Sequence, residues 1–485
     1  MIRDRIGEPK GSGPIIAFVF FLLLLFFTVN LWLQNSADEN AAKAAIVILI
    51  GALSVFYSVQ RRKLLSLIAF TLPFPIYLQI AGRDAFTLTS FLIFMLLAMH
   101  LDVLPRTVRI VKESYGPALA LTTVLFLIIL VTFVSTSGGS LGPNLRRLFS
   151  EGASFGIFVL CGAVIEDLES LEKLLRVLIV AFLVQACVVS LQVMLPGVAI
   201  PVGIFSPRDN PDFVRILNDM SRAGGTLGDY ELLAQWFAIL IPFAVYFLLS
   251  DKKHFVSRLF VIVGFLAGIV MTGTRGALIS VSIGLLVFLW IILRNERGAG
   301  KLLKRSIEVA FVLALVVGTL LVSFPERASE YWGRFTEAVW SYQSGADLSA
   351  VANRGSVWAN AINTIGSPSL LGNGPNRLFS FHSLYLTVIY EVGIVGVAAF
   401  LGFLLYVIRR CYKSLGARSQ SDEYVLLAAS FASLLILLVD EIKVEFLRYS
   451  STSELAWMLF GIALVSARLH KRSVAQKLSE NRSSP

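Results

Sequence analysis

Four positions in this 485-residue chain have the type and setting for chemistry: His382, Arg222, Arg275 and Arg354. His382 follows the turn-rich stretch Pro368, Gly372-Asn373-Gly374-Pro375 and opens an apolar run carrying Glu391, Gly393 and Gly396. A neutral imidazole there can act as a general base near neutral pH, and the structural alternative is a histidine that only packs. Arg275 lies in Thr272-Gly273-Thr274-Arg275-Gly276, a very short polar break between two apolar runs. Arginine keeps its charge when partly desolvated and offers a planar fork to phosphate. Its alternative is to snorkel or pair with a carboxylate, because a buried cation is costly in a membrane. Arg222 stands just before Gly224-Gly225-Thr226-Leu227-Gly228, where exposed backbone amides can receive phosphate oxygens. Arg354 lies in a long polar segment ahead of the histidine.

The frame that must position these groups is a membrane frame. The chain is 56% hydrophobic and 15% charged, far from the balance of a soluble protein. Apolar runs recur at lengths able to span about 30 Å of hydrocarbon. The fold expected is all-α: a polytopic helical membrane protein with about fourteen transmembrane helices and a long helical outer loop. The spans fall near 15–33, 41–59, 64–80, 85–104, 117–134, 150–165, 171–195, 230–249, 255–272, 276–293, 306–323, 383–408, 424–439 and 455–469. The first is read as a retained helix, since it lacks a small-residue cleavage pattern. No internal repeat supports an inverted-repeat transporter.

With the N-terminus in the cytoplasm and strict alternation, every inside segment is basic, from Arg3/Arg5/Lys10 through Arg61/Arg62/Lys63 to Lys471/Arg472/Lys477. This is the positive-inside pattern, so the net charge of +10 calls for no nucleic-acid partner. The outer remainder is arginine-biased, with only Lys43 and Lys443 as lysines, which suggests an anionic ligand at that face. Pairing with outer acids such as Asp209, Asp229 and Glu330 is the alternative.

Two outer loops are long. The first, 196–229, is turn-rich, with a short helix expected near 212–220. The second, 324–381, reads as two helices, Pro325–Tyr342 and Asp347–Ile365. The tail after Arg468 is polar and expected to be unstructured. Cys161, Cys187 and Cys411 are scattered and form neither a disulfide framework nor a metal set. Asp440, Glu441 and Glu445 could bind a cation, but a solvated rim is the plainer reading. No cofactor is expected.

From Arg222 to Phe400 the chain resembles the O-antigen ligase and O-antigen/exopolysaccharide polymerase superfamily of bacterial inner membranes. Four blocks carry the resemblance: Arg222 with Gly225-Thr226, Gly228 and Pro242; Thr274-Arg275-Gly276-Ala277-Leu278; Arg354, Trp358, Ala361, Pro368, Gly372 and Gly374; and His382, Leu386, Glu391, Gly393 and Gly396. Ser383 stands where asparagine is expected, Asp229-Tyr230-Glu231 replaces an amide-rich turn, and the glycine pair runs into Pro375-Asn376. The resemblance implies a metal-independent, inverting glycosyltransferase of the inner membrane with its active site facing the periplasm. The donor would be an undecaprenyl-diphosphate-linked glycan and the acceptor a glycan or a lipid A core sugar. Membrane lipids and a chain-length regulator would be further partners. His382 would be the catalytic base, and Arg222, Arg275 and Arg354 would bind substrate. Polymerase is favoured over ligase because of the number of spans. A polysaccharide transporter or flippase is the competing class, which should show broken helices and polar groups near the bilayer midplane. On this reading 1–195 forms N-terminal membrane helices, 196–408 the ligase/polymerase-like core, 409–469 the C-terminal membrane helices and 470–485 a cytoplasmic tail.

The topology predicts that Gly345→Cys in a cysteine-free background reacts with an impermeant maleimide from the periplasmic side. Labelling only from the cytoplasmic side would invert the arrangement.

Overall fold

The structure is a computed structural model. It describes residues 47–54, 61–80, 83–100, 104–135, 141–194, 223–227, 229–250, 254–295, 349–366, 369–374, 383–417, 421–442 and 450–483, with residues 318, 381 and 419. Within them the chain is helical apart from one antiparallel hairpin. The helices are α1 (Arg61–Thr71), α2 (Leu88–Ala98), α3 (Leu104–Tyr115), α4 (Pro117–Ser135), α5 (Leu141–Val164), α6 (Leu168–Met194), α7 (Tyr230–Ser250), α8 (Phe255–Thr272), α9 (Arg275–Asn295), α10 (Ser349–Ile365), α11 (Leu384–Leu415), α12 (Asp422–Asp440) and α13 (Ser450–Ser483). Nine of these, α4–α9 and α11–α13, are long and apolar enough to cross a membrane. The expected spans at 15–33 and 306–323, most of 41–59, and the expected helices at 212–220 and Pro325–Tyr342 lie outside the described residues. The loop helix expected at Asp347–Ile365 is present as α10.

Two expected spans are not membrane-length helices. In 64–80, α1 stops at Thr71 and Pro73 and Pro75 follow, which can neither donate a backbone bond nor leave their predecessors helical. The chain turns instead into strands Tyr77–Ile80 and Arg83–Thr87, paired antiparallel. The run at 85–104 is shortened to α2, capped by the Thr87 hydroxyl on the Ser90 N–H. Eleven residues reach about 16 Å, half a hydrocarbon core.

The expectation of an unstructured tail also fails, because α13 continues to Ser483. No glycine or proline interrupts 469–483, and the segment is tied down at its root. Arg468 donates to Ser114 Oγ and to the Gly162 and Ile165 carbonyls, and His470 Nε2 bonds the Ala417 carbonyl.

Two helices sit at the centre. α13 packs on α5, α12 and α11, and α7 packs on α8, α12 and α9. Both are buried nearly all round, which is why hydropathy marks them without an amphipathic stripe. α12 joins the two groups. α7 starts at a built cap: Asp229 Oδ1 accepts from the Glu231 and Leu232 N–H groups at 2.8 and 3.0 Å.

α11 is broken. Gly393 has φ 66° and ψ −167°, outside helical space and open to glycine at little cost. Breaking a helix inside a bundle frees backbone groups, and each costs about 1–3 kcal/mol if left unpaired. The segment Ser369–Gly374 takes them up. Asn373 and Gly374 donate to the Tyr390 and Glu391 carbonyls at 2.8 and 3.2 Å; Ile394 and Val395 donate to the Ser369 and Leu370 carbonyls at 3.2 Å each. Thr132 Oγ1 of α4 holds the Leu371 carbonyl at 2.9 Å. The contact is backbone on backbone: a Cβ on Gly372 would lie 2.4 Å from the Glu391 oxygen, and one on Gly393 2.3 Å from the Gly372 nitrogen. A broken span is the mark expected of a transporter, but here the chain's own loop closes the break.

Gly393→Ala should lower stability by about 2 kcal/mol or more, since strain at positive φ adds to a backbone collision. Gly402→Ala on the same helix, whose new methyl would meet Leu121 at 3.6 Å, should be neutral or mildly stabilising. Thermal unfolding of both in detergent checks this, and equal melting temperatures would remove the strain argument. Burial pushes Asp229 up to about 6, with the Leu232 N–H opposing it and Glu231 adding to it. The folded chain then holds that proton more tightly than the unfolded one. This contribution to stability is full below about pH 4 and lost as pH rises through 6. Asp229→Asn keeps the cap and should flatten the melting temperature across that window. An unchanged slope would assign the titration elsewhere.

Candidate functional site

His382 and Arg222 lie outside the described residues. Arg275 and Arg354 are placed by their backbones, as the first residue of α9 and within α10, and their side chains are not described. What the structure supplies is the packing of the segments that carry them.

The residues flanking His382 are buried. Phe381 is 3% exposed and its ring meets Tyr390 edge-on at 5.5 Å; Ser383 is 4% exposed and is the N-cap residue of α11. The first N–H of α11, from Leu384, donates to the Glu441 carbonyl at 3.0 Å, and the Tyr385 hydroxyl donates to the Leu438 carbonyl at 3.2 Å. The histidine segment is thus fastened to the C-terminal end of α12.

The same end of α12 holds the start of α9. Ser280, one and a half turns beyond Arg275, donates from Oγ to Asp440 Oδ1. Ahead of it, Gly273 takes a left-handed conformation (φ 72°) that closes α8 and turns the chain into α9. Thr274 Oγ1 reaches the Tyr230 carbonyl of α7 at 3.4 Å. The starts of α7, α9 and α11 therefore meet around the end of α12. A cation on the first residue of a helix adds to the positive end of its dipole, so the Arg275 position favours an anionic companion.

Two expectations are corrected. Asp440 and Glu441 are not a solvated rim: they are 0% and 1% exposed, because the end of α12 is enclosed by α9, α11 and α13. Glu445 lies outside the described residues. Among those residues no group of three or more His, Cys, Asp or Glu could hold a metal. The glycine turn at Ala223–Leu227 is not an open anion nest. It is largely buried, and two of its amides are taken: Gly225 N–H bonds Gln192 Oε1 at 2.9 Å, and Thr226 N–H bonds Gln185 Oε1 at 3.1 Å. Gln185 and the Thr226 hydroxyl also hold the Pro73 carbonyl. The turn anchors α6 to the segment before the hairpin.

The other histidines are accounted for. His100 Nδ1 bonds the Leu96 carbonyl at 2.8 Å, His470 bonds Ala417, and His254 sits exposed before α8.

A feature missed in the sequence lies beside α11. Arg147 of α5 bonds Glu151 at 3.0 Å and pairs with Glu391 at 3.5 Å. These groups line a cleft between α4, α5, α11 and α13 that begins at Leu384 and Thr387. Glu391 stood out only as part of a residue block, and Arg147 only as one outer arginine. Their 244-residue separation leaves no local signal.

Among curated proteins none matches the chain. Residues 259–401 match the family model for O-antigen ligase. The match takes in Arg275, Arg354, His382 and the break at Gly393, and stops short of Arg222. The match over residues 259–401 supports placing this stretch of the chain in the O-antigen ligase and polymerase superfamily.

Proposed function

We propose that the protein is an inverting, metal-independent glycosyltransferase of the bacterial inner membrane, acting at its periplasmic face. The donor is a glycan on undecaprenyl diphosphate and the acceptor is a sugar hydroxyl. On this reading the acceptor oxygen attacks the anomeric carbon from the side opposite the diphosphate. The new C–O bond forms as the bond to the phosphate oxygen breaks, the diphosphate leaves with the electron pair, and the acceptor proton passes to His382. The leaving group is a stable anion and needs charge stabilisation more than a proton, which is the task given to Arg275, Arg222 and Arg354. Preorganised cations facing developing charge are among the largest catalytic contributions.

The observation that carries the reading is the family match over 259–401, together with the meeting of the Arg275 and His382 segments around the end of α12. Polymerisation of O-antigen or exopolysaccharide repeat units is the first reading, with the growing glycan as acceptor. The O-antigen ligase family matched over 259–401 favours a second, ligation to a lipid A core sugar. Deleting the gene and measuring both surface-glycan length and lipid A attachment separates the two.

His382→Ala should cut transfer by about 10²–10⁴-fold, the usual share of a general base, while leaving expression and donor binding intact. Arg275→Lys should impair transfer although charge is kept, because the fork-shaped contact is lost. Reconstituted transfer from a purified lipid-linked donor reads both. A well-folded His382→Ala chain with normal turnover would refute the base assignment.

A further inference from the structure

The cleft beside α11 has a composition that selects among ligands. Among the described residues its polar groups are Arg147, Glu151, Glu391 and Thr387, and the rest of its wall is apolar, with Phe133 of α4, Phe400 of α11 and Trp457 of α13 as the aromatic members. Arg147 is matched by two carboxylates, at 3.0 and 3.5 Å. A diphosphate brought here would have to displace a carboxylate from an arginine that already bonds two, in surroundings where like charges repel strongly. A sugar ring meets what it needs. A carboxylate accepts from sugar hydroxyls as it does from arginine. The aromatic walls take the C–H faces of the ring.

Position gives the cleft its role. Leu384 and Thr387, on the first turn of α11, line it, two and five residues beyond His382. Glu391 lies about 10 Å further along the helix axis. The floor is fixed by the Gly393 break, since Gly374 N–H holds the Glu391 carbonyl and Arg147 its side chain.

We infer that the cleft formed by Arg147, Glu151, Thr387, Glu391 and Trp457 seats an uncharged, hydroxyl-rich sugar of the acceptor, kept apart from the cation-bound donor diphosphate. The assignment to the acceptor rests on the transfer reaction proposed above; the selection of sugar over phosphate rests on the cleft alone. Glu391 is then a positioning and specificity residue, acting on the acceptor and leaving the leaving group untouched.

The test is binding to the full chain in nanodiscs, with n-octyl β-D-glucoside, β-D-galactoside, α-D-mannoside and N-acetyl-β-D-glucosaminide as probes and n-octyl phosphate as the charged counterpart on the same chain. At least one glycoside should saturate and change the tryptophan emission, a change lost in Trp457→Phe. Glu391→Gln and Glu151→Gln should each weaken that binding about tenfold, and n-octyl phosphate should not compete. Should Glu391→Gln fail to fold, Thr387→Val takes its place. Saturation by none of the glycosides, equal binding of the phosphate, or wild-type affinity in the folded cleft variants would each overturn the inference. Glycoside binding is read without donor or turnover, so a failure of the transfer reaction and a failure of the cleft give different results. In turnover, Glu391→Gln should raise the acceptor KM about tenfold with the donor KM unchanged, and a change confined to the donor KM would also overturn it.

Discussion

Four backbone hydrogen bonds across the break at Gly393 are the constraint on which the rest of this end of the molecule depends. A span that stops being helical in a bundle must find partners for the carbonyls below the break and the N–H groups above it. Here they come from Ser369–Gly374, the last described stretch before the histidine segment. The pairing is possible only because two glycines, at 372 and 393, let the backbones approach without a Cβ between them. It fixes where the chain before the histidine segment returns to the bundle. It also turns Tyr390 and Glu391 into fixed points: one ring against Phe381, one carboxylate against Arg147.

A second set of contacts converges on the end of α12. Its carbonyls hold Leu384 and Tyr385, and its Asp440 takes the Ser280 hydroxyl. Buried carboxylates are costly unless hydrogen-bonded or matched by charge, so their presence at 0% and 1% exposure is a demand on whatever faces them. On the function proposed above, Arg222, Arg275 and Arg354 serve the diphosphate, and the Arg147–Glu151–Glu391 cleft serves a neutral sugar. A transferase with one anionic and one uncharged substrate group needs such a division.

Much of this was legible in the sequence. Hydropathy alone locates α4 and α6 to α9, and even the apolar run 150–165 marks the inner part of α5. The loop helix α10 follows from its own periodicity, and the order of the residue blocks leads to the matched family. The failures share one physical cause: they depend on what a residue meets far away in the chain. Pro73 and Pro75 end α1, yet only the strand partner makes Tyr77–Ile80 a strand. Glycines 372 and 393 look like turn and span glycines until their backbones meet. Asp440 and Glu441 look like a polar rim until α9, α11 and α13 close over them. The tail looks unstructured until Arg468 and His470 root it.

Amide hydrogen exchange at the break tests the central claim most directly, because it reads the backbone pairing itself. If Ser369–Gly374 closes α11, the N–H groups of Asn373, Gly374, Ile394 and Val395 exchange slowly and as one cooperative set, and the set loses protection together in Gly372→Ala. Fast exchange at Ile394 and Val395 in the folded wild-type chain, or protection there that survives Gly372→Ala while Asn373 and Gly374 open, would contradict it.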